Sequence, residues 1–233
     1  MAERRSRTER DARRRALAQN FLRSRALADR LVREADVSRC DLVLELGAGT
    51  GVLTAALARR AGRVLAVELD PAWARRLLDR FADEESVLVV HGDALLFPLP
   101  GEPFRVLANL PFNRTTALLR HLLDDPASTL TEADLVVQEE VARKRARNRG
   151  TALTISWAPW FEFSLGPRLP PQAFRPVPRV RAAVLRVRRR TEPLLPLGER
   201  TAFARFVSAL FEHDSRQAST LAVAEWVRRF RGA

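Results

Sequence analysis

The spacing of apolar residues changes period along the chain, and each change marks an element. Leu27, Ala28, Leu31, Val32 and Ala35 recur at helical spacing behind Ser24, a helix-capping residue, and predict a helix to about Ala35. Leu42–Leu46 is a short continuous apolar run, the pattern of a fully buried strand. It leads into Gly47-Ala-Gly-Thr-Gly51, after which Val52, Leu53, Ala56 and Leu57 mark a helix face. Arg63–Asp70 predicts a second strand, and Asp70-Pro71 a cap and first turn for a helix carrying Trp73, Leu77, Leu78 and Phe81 inward. Further strands are predicted at Ser86–Asp93, Phe104–Asn109, Leu135–Val137, Leu153–Trp157 and Ala182–Val187. Beyond Pro193 and Pro196 only helical stripes remain: Phe203, Phe206, Val207, Leu210 and Phe211, then Val223, Trp226, Val227 and Phe230.

Strands alternating with helices define the α/β class, here a Rossmann-like, doubly wound, mostly parallel seven-stranded sheet with a small C-terminal helical appendix. The expected organisation is a basic mobile arm over residues 1–18, a main domain over 19–190 and a helical end over 191–233. Ligands of such sheets bind outside the carboxyl ends of the strands. Gly47, Gly49, Gly51, Glu68, Asp93 and Asn109 all fall there.

Composition narrows the class. The 233 residues are 46 % hydrophobic, enough for a full core, yet no apolar run approaches the ~20 residues of a membrane span. The first residues carry no apolar segment of a secretory signal. One cysteine, Cys40, expected to be buried, and three scattered histidines argue against a disulfide framework or a metal centre. A cytoplasmic, metal-free monomer is the expectation. Charge adds a partner class. The net charge is +12, and every basic residue but Lys144 is arginine. Residues 41–137 hold 14 acidic against 9 basic residues, whereas 1–40 hold 12 basic against 6 acidic and 138–199 hold 13 against 5. An acidic middle between basic flanks suits a small-molecule site whose edges grip a polyanion. Arg143, Lys144, Arg145, Arg147 and Arg149 form one cluster; Arg175, Arg179, Arg181, Arg186 and Arg188–Arg190 form another.

The glycine turn Glu45-Leu-Gly-Ala-Gly-Thr-Gly51 lets backbone approach a ligand closely. It lacks the third-glycine spacing of a dinucleotide loop and the Lys-Ser/Thr of a P-loop. Glu45 would repel a pyrophosphate. A phosphate-free ligand such as S-adenosylmethionine fits better, with Glu68 accepting from ribose hydroxyls and Asp93 from an adenine amino group. After the fourth strand, Asn109-Leu110-Pro111-Phe112 is stiffened by its proline. The Asn109 side-chain oxygen and the Leu110 carbonyl suit the two hydrogens of an adenine amino group, and Phe112 offers a face for stacking an extruded base.

Gln19-Asn-Phe-Leu22, Glu45–Gly51, Glu68, Gly92-Asp93, Asn109–Phe112 and Phe174-Arg-Pro-Val-Pro-Arg-Val180 occur in that order. Together they resemble the ribosomal RNA adenine N6-methyltransferases, over roughly residues 15–190. That family has two branches: the Erm enzymes, which modify 23S rRNA and confer macrolide resistance, and the small-subunit adenine dimethylases. The resemblance implies S-adenosylmethionine as cofactor and a pocket lined by Gly47, Glu68, Asp93 and Asn109. It implies that Asn20 and Leu22 fold over the methionine end. The arginine-rich start, the Gly-Ala-Gly-Thr-Gly loop and Gln138–Arg145 look more like the Erm branch, with 23S rRNA as partner and Arg143, Lys144, Arg145, Arg175, Arg179 and Arg181 as candidate RNA contacts. Phe112 stands where the family often has tyrosine, and the helical end is shorter than usual. The rival readings are 16S rRNA dimethylation, a non-catalytic rRNA-binding assembly factor and, distantly, a dehydrogenase.

Overall fold

The computed structural model describes residues 20–147, 151–213 and 218–232. The basic arm, Gln19 and Arg149 lie outside the described residues. The central sheet has seven strands: β2 (Leu42–Leu46), β3 (Arg63–Glu68), β4 (Val87–His91), β5 (Phe104–Asn109), β6 (Leu130–Gln138), β7 (Phe161–Leu169) and β9 (Ala182–Arg189). Their spatial order is β4-β3-β2-β5-β6-β9-β7. The first five run parallel, and β9 pairs antiparallel with both β6 and β7. β2, the middle one of the five parallel strands, is buried at all five positions, which is why it reads as an apolar run interrupted only by Glu45. A two-residue ribbon pairs β1 (Phe21–Leu22) with β8 (Phe174–Arg175) outside the sheet.

Eight described helices surround the sheet: α1 (Arg25–Glu34), α2 (Val52–Ala58), α3 (Pro71–Arg80), α4 (Thr115–Leu123), α5 (Glu139–Ala146), α6 (Ala152–Trp157), α7 (Arg200–His213) and α8 (Val223–Arg231). Ser24 caps α1 by accepting from Leu27 N–H at 3.1 Å, and the Asp70 carboxylate caps α3. The strand predicted at Leu153–Trp157 is instead α6. Thr151 caps it by accepting from Thr154 N–H at 3.1 Å, and the Ser156 hydroxyl donates back to Ala152 O. Its β-branched residues resemble a strand locally, but Thr154, Ile155 and Trp157 bury one helical face. The seventh strand comes later, at β7, where Gly166-Pro167 looks like a turn. The ladder to β9 shifts register between Leu165 and Arg168, and β7 lies at the sheet edge, where a proline is tolerated.

The main core runs from β2, β5 and β6 through Trp157, Trp160, Phe161 and Phe163 to Phe203, Val207, Trp226 and Val227. The C-terminal helices therefore share one core with the sheet. Phe203 meets Trp160 edge-on at 6.3 Å and Phe230 at 5.3 Å. Cys40 is exposed rather than buried, in the turn that Ser38 and Asp41 close ahead of β2. Arg186 and Arg188 turn onto the buried Asp134, Arg189 donates to three backbone carbonyls, and Arg190 bonds Ala158 O and Glu162. These four arginines tie the sheet together and are spent internally. No described helix is long and apolar enough to cross a membrane.

Candidate active site at the strand ends

A cleft opens at the carboxyl ends of β2, β3 and β5. Asn20, Gly47, Glu68, Asp93, Asn109, Leu110 and Pro111 line it, with Phe21, Leu69 and Arg114. The glycine turn and the proline corner are thus walls of one cavity. A Cβ added at Gly47 would meet Pro111 Cδ at 3.9 Å.

The turn after β2 is held by backbone: Gly47 and Ala48 N–H both donate to Val67 O, at 2.8 and 3.2 Å. Gly47, Gly49 and Gly51 all have positive φ (80°, 56° and 71°). At Gly49 a Cβ would stand 2.6 Å from the Phe21 ring, so β1 lies directly on the turn. Phe21 also packs against Trp73 at 5.0 Å. Glu68, at the end of β3, accepts from Gly49 N–H at 2.7 Å and Asp70 N–H at 2.8 Å. Burial pushes its carboxyl above the usual range, and these two N–H groups pull it back down. Asp93 is held below its ordinary value chiefly by the Leu95 N–H at 3.0 Å, with Arg114 adding to the effect.

The Asn109 side chain is divided between two tasks. Its Nδ2 donates to Asn20 O at 2.7 Å, and a carbonyl can only accept, so the amide orientation is determined. Its Oδ1 is buried and has no hydrogen-bond partner. Such an atom is costly unless a donor arrives. The corner itself is anchored by Leu110 N–H to Val136 O at 3.1 Å and by the Thr115 hydroxyl to Pro111 O and Phe112 O.

Several expected site residues stand elsewhere. Glu45 does not line the cleft. It is buried behind the turn, accepting from the Thr54 hydroxyl at 2.6 Å, and burial pushes its pKa up to about 8. Gly51 forms the left-handed N-cap of α2 against Leu77, a structural role. Leu22 is buried with Phe174 in a separate small cluster, and Phe112 packs half-buried against that cluster rather than lining the cleft. Phe21 and Arg114 are the residues the motifs did not single out. Both sit within or beside quoted motifs at a strand end, the one signal that could have found them.

Among the basic candidates, Arg175 is exposed in β8 of the ribbon, and Arg179 and Arg181 are exposed on the segment between β8 and β9. Lys144 and Arg147 are exposed on α5 and its end; Arg143 is exposed and pairs with Glu139. Glu139 N–H donates to Arg181 O at 2.9 Å, so the two basic segments adjoin. Arg145 departs from them. Its guanidinium is buried, donating to the Thr151 and Thr154 hydroxyls at 2.7 and 2.9 Å above the Trp157 ring, which leaves it positioned to join α5 to α6 rather than to meet a phosphate.

Comparison with known proteins places this arrangement. The family profile of ribosomal RNA adenine dimethylases matches residues 10–231. The chain belongs to that family. It is 44 % identical over 225 residues to an rRNA adenine N-6-methyltransferase of Aeromicrobium erythreum, covering 95 % of this chain and 66 % of that one. It is 44 % identical over 181 residues to the mycinamicin-resistance protein MyrB of Micromonospora griseorubida, covering 77 % of this chain and 57 % of that one. The chain thus spans between a half and two thirds of these relatives' own lengths. The crystal structure of the 23S rRNA methyltransferase ErmE superposes with a TM-score of 0.79 at 30 % identity, covering 91 % of this chain and 98 % of that one.

Glu45 also carries a stability signature in this family member. A carboxyl raised from 4.5 to about 8 binds its proton more tightly folded than unfolded. Its contribution is full below about 4.5 and is lost as pH rises through about 8. Glu45→Gln mimics the neutral form and keeps an acceptor for Thr54. Calorimetric melting between about pH 6 and about pH 8.5 should show the variant gaining on the parent as pH rises; a constant gap would refute the assignment.

Proposed function

We propose that the protein transfers a methyl group from S-adenosylmethionine to N6 of an adenine in the peptidyl-transferase loop of 23S rRNA, blocking macrolide-type antibiotics. The observation that carries this reading is the buried, unpartnered Asn109 Oδ1 in a cleft shared with Gly47, Glu68 and Asp93. The likeness to the 23S rRNA methyltransferase ErmE and to the mycinamicin-resistance protein MyrB supports the same target and consequence.

The residues present fit the cofactor. Glu68 offers carboxylate oxygens for a ribose diol, Asp93 for an amino group, and the cleft walls between them are apolar at Leu46, Val67 and Leu69. When bound, S-adenosylmethionine supplies an electrophilic methyl on a sulfonium. The chain's own work is positioning. Asn109 Oδ1 and the Leu110 carbonyl accept the two amino hydrogens of the target adenine, drawing N6 out of conjugation and aiming its lone pair. That lone pair would take the methyl of the bound cofactor, leaving the S–C electron pair on sulfur, and the aminium would lose its proton to water. No strong base is required, so orientation and fixed dipoles carry the rate. Phe112, half-buried next to Pro111 and outside the cleft wall, offers its ring to the extruded base as it enters. Arg143, Lys144, Arg175, Arg179 and Arg181 grip RNA phosphates, and affinity should fall steeply with salt.

Incubation with labelled cofactor and both naked ribosomal RNAs, followed by nucleoside mass spectrometry and primer extension, tests the proposal. Methylated adenine in the 23S loop is expected. A modified adenine pair in small-subunit RNA with an untouched 23S loop would overturn it.

A further inference from the structure

Arg114 lines the cleft at a position that local structure does not call for. It occupies the N-cap of α4, where its side chain makes no capping bond, and a cation there opposes the helix dipole. Thr115 ties the turn instead. The guanidinium reaches to Asp93, Nη1 to Oδ1 at 3.3 Å and Nη2 to Oδ2 at 3.2 Å. Charge-assisted bonds normally close to ~2.7–2.9 Å. Arg143–Glu139 and Arg188–Asp134 do so, at 2.7 and 2.8 Å. The Arg114–Asp93 pair is longer than these two, and both side chains keep solvent contact, at 34 % and 24 % exposure. Oδ1 already accepts from Leu95 N–H at 3.0 Å, so a further donor on this carboxylate competes first with the longer bonds to Arg114. The backbone of Arg114 is bonded to Pro111 O at 3.0 Å, which places the cation beside the Asn109–Phe112 corner.

We propose that Arg114 links the two substrates: it rests on Asp93 until a nucleoside amino group engages that carboxylate, then turns to a phosphate of the adenosine held at the Asn109–Phe112 corner. This rests on the methyl-transfer reading above and adds an order to it, cofactor before RNA. Arg114 acts here as a positioning residue whose charge is released by one ligand for the other.

The test is fluorescence anisotropy of a hairpin carrying the 23S peptidyl-transferase loop, with and without S-adenosylhomocysteine. For the parent protein, S-adenosylhomocysteine should tighten hairpin binding about tenfold, within the usual range of coupling between sites. The slope of log affinity against log salt should steepen by about 0.7, the value for one added phosphate contact on a single strand. Calorimetry should show the hairpin tightening S-adenosylhomocysteine binding by the same factor. Arg114→Gln should remove both effects, Arg114→Lys should keep the change in slope, and Asp93→Asn should bind the hairpin tightly without S-adenosylhomocysteine. Equal hairpin affinity with and without S-adenosylhomocysteine in the parent, or undiminished coupling in Arg114→Gln, would overturn the proposal. Methylation of the same hairpin is followed in parallel. A hairpin methylated but bound without coupling removes only the role of Arg114, whereas one neither bound nor methylated removes the underlying reading as well.

Discussion

Asn109→Ala is expected to slow methyl transfer by at least ~10²–10³-fold, the usual cost of deleting one preorganised polar group from a reacting centre. Two losses combine. The unpartnered acceptor disappears, and Asn20 O, next to β1, loses the donor that ties it to the corner. Asn109→Gln is the sharper probe. It restores both functional groups but displaces them by one methylene, and a misplacement of about 1 Å costs on the order of 10²-fold. Single-turnover kinetics on a 23S loop fragment, with S-adenosylhomocysteine affinity measured separately, would distinguish the chemical step from binding. Near-parental rates in either variant would mean that the orphaned oxygen is incidental.

The second large effect is expected at Glu68, and on binding rather than chemistry. Glu68→Ala should weaken S-adenosylhomocysteine by ~10²–10⁴-fold, since hydrogen bonds to a charged group contribute ~1.5–3 kcal/mol each and a ribose offers two. It would also strand the N–H groups of Gly49 and Asp70, loosening the turn. The pH dependence separates these causes. Burial raises the Glu68 carboxyl above 4.5, and only the ionised form accepts from both hydroxyls. Affinity should therefore decline on acidification at a higher pH than an ordinary carboxylate would produce. Glu68→Gln should bind weakly with no such decline. A parent protein whose affinity stays flat down to about pH 4.5 would argue against a ribose partner for Glu68.

The legibility of this chain in its sequence follows physical lines. The buried parallel strands could be read because burial on both faces leaves an apolar run such as Leu42–Leu46 with no competing signal. The antiparallel edge could not. Gly166-Pro167 in β7 is accommodated by a register shift, a property of pairing with β9 that local spacing does not encode. At the site, Glu68, Asp93 and Asn109 could be placed because strand ends converge on one crevice, so each points to the same cavity. Glu45 and Gly51 share their motif but face away from it, because a tight turn alternates ligand-facing and core-facing positions. Arginines were the least legible. Arg145, Arg186, Arg188 and Arg189 look no different in sequence from Arg175 or Arg179, and only burial against threonines, Asp134 or carbonyls separates them.

The shared core bears on how the protein could be cut. Phe203 and Trp226 are fully buried, and Phe203 covers Trp160 close to where β7 begins. A chain shortened before residue 200 would bare an indole and the flank of the sheet's outermost strand together. The two terminal helices are thus not a detachable module, and any miniaturised catalyst built on this scaffold would need that flank resurfaced before the cleft, intact in itself, could be of use.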